Sequence, residues 1–139
     1  VADSTFVSSQ GAYDAALLYQ IQLVNCTMHL WQQDLLPSPT PQTTLDQFLA
    51  AEATFDGYSP ATIASWAAPV LAGNGWTIFA PTQVFRYTFS AGVVNTILGY
   101  FLVTAAGDLK DYTVFNPAEA ISGAGQAIIR TPSEFIPWG

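Results

Sequence analysis

Over residues 25–32 the chain alternates: Cys26, Met28 and Leu30 fall on one side, Thr27, His29 and Trp31 on the other. That period of two is the mark of a strand. It returns at residues 84–89, where Phe85, Tyr87 and Phe89 share a face against Val84, Arg86 and Thr88. Over residues 97–104 both sets are apolar, Ile97, Phe101 and Val103 against Leu98, Tyr100 and Leu102. This predicts a central strand covered on both faces. Ala106-Gly107-Asp108 then turns the chain, and residues 109–115 return as the hairpin partner. Shorter strands are expected beside Asp56-Gly57, at 63–66, at 76–79 after the Gly73-Asn74-Gly75 turn, and at 126–130 and 134–136 around Pro132.

Two segments carry helical spacing instead. Ala12, Ala15, Ala16 and Tyr19 share one side of a short helix over 11–19, and Thr43 with Asp46 three residues later opens another over 43–52. Pro37, Pro39 and Pro41 hold the chain between them in a loop. Residues 1–10, rich in Ser and Thr with only Phe6 and Val7 as anchors, read as a flexible arm that a partner would order. The expected architecture is mostly β: residues 11–139 form a single β-sandwich or jelly-roll-like domain, with one or two short helices in its N-terminal half.

Charge changes this picture most. The 139 residues hold ten acidic and three basic side chains, 9% charged in all, for a net charge of −7, while half the chain is apolar. A soluble domain usually carries roughly 25% charged residues. A small chain so poor in charge is expected to bury part of its surface against other chains. Arg86, Lys110 and Arg130 are the only cations, too few and too scattered for a phosphate-binding patch or a basic membrane anchor. The stretch from Arg86 to Asp108 lacks charge, but polar residues and glycines interrupt it, so buried strands are expected there and not a membrane span. No basic segment followed by an apolar run opens the chain, so no signal peptide is read. A start at Val1 suits loss of an initiator methionine and other processing alike.

Candidate chemistry is sparse. His29 is the sole histidine and Cys26 the sole cysteine, which excludes a multi-histidine metal site and an intrachain disulfide. No Gly-x-Ser-x-Gly elbow is present to serve His29, so it reads as a structural histidine. The carboxylates Asp56, Asp108 and Glu119 read as turn residues. Gly123-Ala124-Gly125-Gln126 lacks the Lys-Ser/Thr of a phosphate loop and reads as a hairpin turn. Asn25-Cys26-Thr27 matches a glycosylation sequon that stays idle without a signal peptide. Trp31, Trp66, Trp76 and Trp138 leave sugar stacking open, with core and interface packing the plainer account.

The order of several segments resembles small tailed-bacteriophage virion proteins of the minor head, tail and decoration kind. They are Glu52-Ala53-Thr54-Phe55-Asp56-Gly57-Tyr58 with Trp66 and Pro69; Ile97-Leu98-Gly99-Tyr100-Phe101-Leu102-Val103 with Ala106-Gly107-Asp108-Leu109 and Phe115-Asn116-Pro117; and the run from Gly125-Gln126 through Thr131-Pro132 to Phe135. The resemblance spans residues 28–136; the first 22 residues depart from it and suit a docking arm. It implies a β-rich virion component without enzymatic activity. The expectation is therefore a non-enzymatic capsid decoration (cement) protein, made in the host cytoplasm and placed on the capsid surface. Its partners would be itself, as a homotrimer, and the major capsid protein, with no nucleic acid, membrane or cofactor. A tail or fibre protein that binds a receptor or glycan is the alternative. Phe6, Val7, Phe135 and Trp138 are the expected interface residues.

Overall fold

Ser8 opens the first helix, α1 (Ser9–Gln22), its hydroxyl accepting the Gly11 amide at 3.0 Å. The computed structural model describes residues 3–89 and 93–139; Val1 and Ala2 of the expected arm, and residues 90–92 of the uncharged stretch, lie outside them. The helix starts two residues before the expected one and runs three past it, so Ser9 and Gln10 belong to α1 and not to an arm. Ala12 and Ala16, one turn apart, are fully buried, and such small side chains let the helix lie close on the strands beneath. Asn25 then takes a left-handed conformation (φ 58°) and reverses the chain, a geometry that asparagine tolerates better than most residues.

Among the described residues nine strands follow, with one short helix between the first two. The strands β1 (Cys26–Trp31), β2 (Ala61–Ile63), β6 (Asn95–Val103) and β7 (Leu109–Ile121) form an antiparallel sheet in the order β2-β1-β6-β7. Opposite it, β3 (Val70–Ala72), β4 (Gly75–Phe79) and β9 (Ser133–Pro137) pair in the order β3-β4-β9, and β5 (Gln83–Arg86) pairs with β8 (Ala127–Arg130). These two smaller ladders are one bent ribbon. Ala80 N–H bonds to Pro132 C=O at 2.9 Å at the bend, and the pairing continues past β5 to Tyr87 N–H on Gln126 C=O at 2.9 Å. The β4–β5 side has one more residue at the bend than the β8–β9 side, so the bend is a bulge, the position where Pro81 and Pro132 remove no ladder donor.

The main core fills the space between sheet and ribbon. Cys26, Met28 and Leu30 from β1 and Tyr100 and Leu102 from β6 meet Ile78, Phe85, Tyr87 and Ile128 from the ribbon. The fold is thus mostly β and sandwich-like. The other face of the large sheet is covered too: Phe48 of α2 (Leu45–Ala50) packs against Trp31, Phe101 and Tyr112 with ring centroids 5.0–5.2 Å apart. Strand β6 lies between β1 and β7 with an apolar layer on each side, which accounts for its two apolar faces. Gly99 is required there. A Cβ on it would run into the Trp31 ring and the Thr113 carbonyl, because Trp31 lies across it from the neighbouring strand.

Six local readings need correction. No strand forms beside Asp56-Gly57, and the strand expected at 63–66 is β2, which ends at Ile63. Helix α2 is capped by Thr44 with Gln47, not by Thr43 with Asp46; the Thr43 hydroxyl instead accepts the Thr40 amide at 2.8 Å and closes the preceding turn. The turn at Gly123–Gln126 joins β7 to β8, which lie in different sheets, so it is no hairpin. Glu119 lies within β7 and not at a turn, paired with Arg130 at 2.7 Å. Phe89 is exposed, because the ribbon's pairing stops at Tyr87.

Candidate functional site

Strand β2 pairs with only the first half of β1, through Cys26, Thr27 and Met28. The rest of that edge is taken by the segment after α2: Ala53 N–H donates to Leu30 C=O at 2.8 Å, and Gln32 N–H to Ala51 C=O at 3.0 Å. This places Glu52 beside His29, on the outward face of β1. Glu52 Oε2 is 2.6 Å from His29 Nδ1, and His29 Nε2 is 2.8 Å from Thr27 Oγ1. The imidazole stacks on Phe101, its partner in the adjacent strand, at 4.8 Å and 12°. Tyr58 closes the network, donating to Glu52 Oε2 at 2.6 Å and accepting the otherwise unpaired Leu30 N–H at 3.1 Å. Burial, followed by the hydrogen bond to Glu52, pushes the Tyr58 phenol far above its ordinary value, so it remains a donor throughout the physiological range.

Hydroxyl, imidazole and carboxylate in this order are the parts of a nucleophile, a base and its orienting group. Here Thr27 and His29 stand two apart on one strand. The clefts around Leu35 and Gln47, along Val114–Arg130, at Val24–Lys110 and at Pro41–Tyr112 are lined by other residues. The network fastens residues 52–58 to the half of β1 that β2 leaves open. His29→Ala is expected to cost about 1–3 kcal/mol, through the Glu52 and Thr27 groups it leaves without partners. Urea unfolding checks this; an unchanged midpoint would show that the network holds nothing.

A second polar cluster lies inside the sandwich. Asp111 stands opposite Leu102 in β7 and Glu134 opposite Ile78 in β9, both on strand faces turned toward the core, so two carboxyl groups meet between the layers. Burial, the hydrogen bond to Asp111 and the charge of Asp111 push Glu134 up to about 9, against a smaller opposing effect of Lys110. Asp111 Oδ2 is buried without a partner. Burial also raises the neighbouring Cys26 thiol and Tyr100 phenol. A carboxyl raised in this way keeps its proton through the neutral range and so carries a donor. Reading the carboxylates as turn residues overlooked it, although the period of two that turns Ile136 inward turns Glu134 inward as well.

A comparison with protein-family models, curated proteins and solved structures finds no match to this chain.

The expected interface residues sit at one end of the molecule. Val7 and Gly139 exchange two backbone hydrogen bonds, at 3.3 and 2.8 Å, which ties Phe6 and Val7 to the segment carrying Trp138. Phe6 is the most exposed of this set, at 75%. Phe135 projects from the outer face of the three-stranded sheet, half exposed, in register with Thr77 and Val70. Trp31 and Trp66 are buried, at 1% and 4% exposure, which removes them as sugar-stacking platforms. Trp76 is partly buried under α1, its indole N–H donating to Ser9 C=O at 3.1 Å. Val70, Phe79, Val84 and Ile129 are exposed on the same outer side of the ribbon as Phe135.

Proposed function

We propose that this chain is a non-enzymatic structural subunit that acts in many copies, and within that class a capsid decoration protein of a tailed bacteriophage. One observation carries the reading. Among the described residues seventeen large apolar side chains stand exposed, against thirteen charged side chains in the whole chain. Apolar area removed from water is worth about 25 cal/mol per Å², so a surface of this composition is stabilised by contact with other protein. Closed symmetric assembly satisfies such patches without open-ended growth. The order of segments between residues 28 and 136, similar to that of small phage virion proteins, supports the choice of particle. The tie between Val7 and Gly139 leaves Phe6 free to dock on the shell.

The copy number on purified particles tests the reading. Gel densitometry calibrated on the major capsid protein is expected to give hundreds of copies per particle. A few dozen or fewer would move the protein to the tail, portal vertex or fibres, and absence from the particle would end the virion reading.

A further inference from the structure

We infer that the seam between β7 and β9 is a pH-operated clasp. When the facing carboxyls of Asp111 and Glu134 are both ionised, the sandwich parts along this edge, and β9 detaches while the large sheet stays folded.

The topology places the seam. Strand β7 ends the order β2-β1-β6-β7 and β9 ends the order β3-β4-β9, so each has a ladder on one side only. Both edges lie on the same side of the sandwich. Asp111 of β7 meets Glu134 of β9 there, and Glu119 of β7 pairs with Arg130 of β8 at 2.7 Å. Strand β9 is thinly packed: none of its residues is fully buried, and only Glu134 and Ile136 turn inward. Its ladder with β4, its contact with α1 and the carboxyl pair hold it in place. The residues after it tie down the other terminus. Trp138 N–H donates to Asn74 C=O at 2.9 Å, and Gly139 exchanges two hydrogen bonds with Val7. Detachment of β9 therefore frees Phe6 and Val7 as well.

No cation takes the place of the proton between the two carboxyls. Lys110 donates to Gln22 Oε1 at 2.6 Å and lies 4.1 Å from the centre of the Tyr19 ring. Its charge offsets only part of what raises Glu134. Arg130 is held by Glu119 and lies 3.9 Å from the centre of the Phe115 ring. The other titratable groups beside the pair are the Cys26 thiol of β1 and the Tyr100 phenol of β6, both raised first by burial. Each adds negative charge when it ionises. Strand β4 carries no titratable group. On α1, Tyr13 packs edge-on against Trp76, Tyr19 lies under Lys110, and Asp14 is exposed and accepts from Gln10. Two carboxylates between apolar layers without a counter-ion repel each other and lack solvation.

The clasp thus holds while Glu134 keeps its proton, up to about pH 9. Once open, the carboxyl meets water and ionises near its ordinary 4.5. Between these values the open fraction rises with pH, by up to about tenfold per unit.

Hydrogen exchange of the full chain, read by mass spectrometry, tests the inference. Comparing wild type with Glu134→Gln at one pH cancels the intrinsic exchange rate. The wild-type rate over residues 133–139, relative to the variant, is expected to rise at least about tenfold from about pH 6 to about pH 8. Residues 95–103 are expected to change less than about twofold, because the large sheet stays closed. Asp111→Asn leaves Glu134 without a facing charge and is expected to reduce the rise over 133–139, which serves as the comparison where Glu134→Gln misfolds. A relative rate over 133–139 that does not change with pH overturns the inference. An equal rise over residues 95–103 overturns it too, since the chain then unfolds as one unit.

Discussion

Phe101→Asp is expected to yield no soluble folded protein, and Phe101→Ala to lower the unfolding free energy by about 3–5 kcal/mol. Phe101 is fully buried in the central strand. Its ring stacks on His29 at 4.8 Å and packs on Phe48 at 5.0 Å, so truncation empties a space lined by rings from two strands and a helix. Strands on either side hold the backbone, which leaves little freedom to close the cavity. A carboxylate in its place would be buried beside Glu52 and His29 without an added donor, a penalty beyond the stability of most domains. Urea unfolding followed by far-UV circular dichroism measures the alanine variant. A loss below about 1 kcal/mol would mean that the helix side of this strand is not packed.

Glu134 should make the protein less stable as pH rises. Its carboxyl is held at about 9 in the folded chain against an ordinary 4.5. Below about pH 4.5 it is protonated in both states. Between there and about pH 9 the unfolded chain releases this proton while the folded chain keeps it, so this group's contribution falls steadily with pH and levels off above. Glu134→Gln removes the titration and keeps an N–H donor for Asp111. The variant is expected to melt at a higher temperature than the wild type at pH 8, with the advantage shrinking toward pH 4. Because other carboxylates titrate in both proteins, the difference between the two melting curves is the readout. A difference that does not change with pH would show that the Glu134 carboxyl is not held up in the folded chain.

The strands were legible because a period of two survives wherever one face is buried, and β1, β5 and β6 each carry it over several residues. Ends and partners were not. Thr43 and Thr44 are each followed three residues later by a group suited to a cap, and the choice between them is made by which start delivers Phe48 onto Trp31 and Phe101. Pro117 argues for a strand end after Phe115, yet β7 continues to Ile121, because residues 115–118 bulge out of the ladder between the Gly99–Val114 and Ile97–Glu119 pairs, where a missing amide removes no ladder bond. The His29 network needed a fact no local pattern carries: β2 is too short to cover β1, which opens an edge for residues 52–58. The ribbon's pairing was hidden for a related reason. Val84 and Ile129 lie far apart in the chain and become neighbours only through pairing.

The order β2-β1-β6-β7 also bears on how the chain reaches this state. Thr27 pairs with Val103, and Phe79 with Ser133, so both major ladders close over long stretches of intervening chain. Only the β3–β4 and β6–β7 hairpins can form from near neighbours. Closing distant pairs spends chain entropy before burial returns it, which places folding among the slower β topologies, in milliseconds to seconds. On a ribosome, β6 emerges with β1 already waiting, but the ribbon cannot close until β9 has been made. Until then the apolar inner face of the large sheet lacks its cover and is open to premature association.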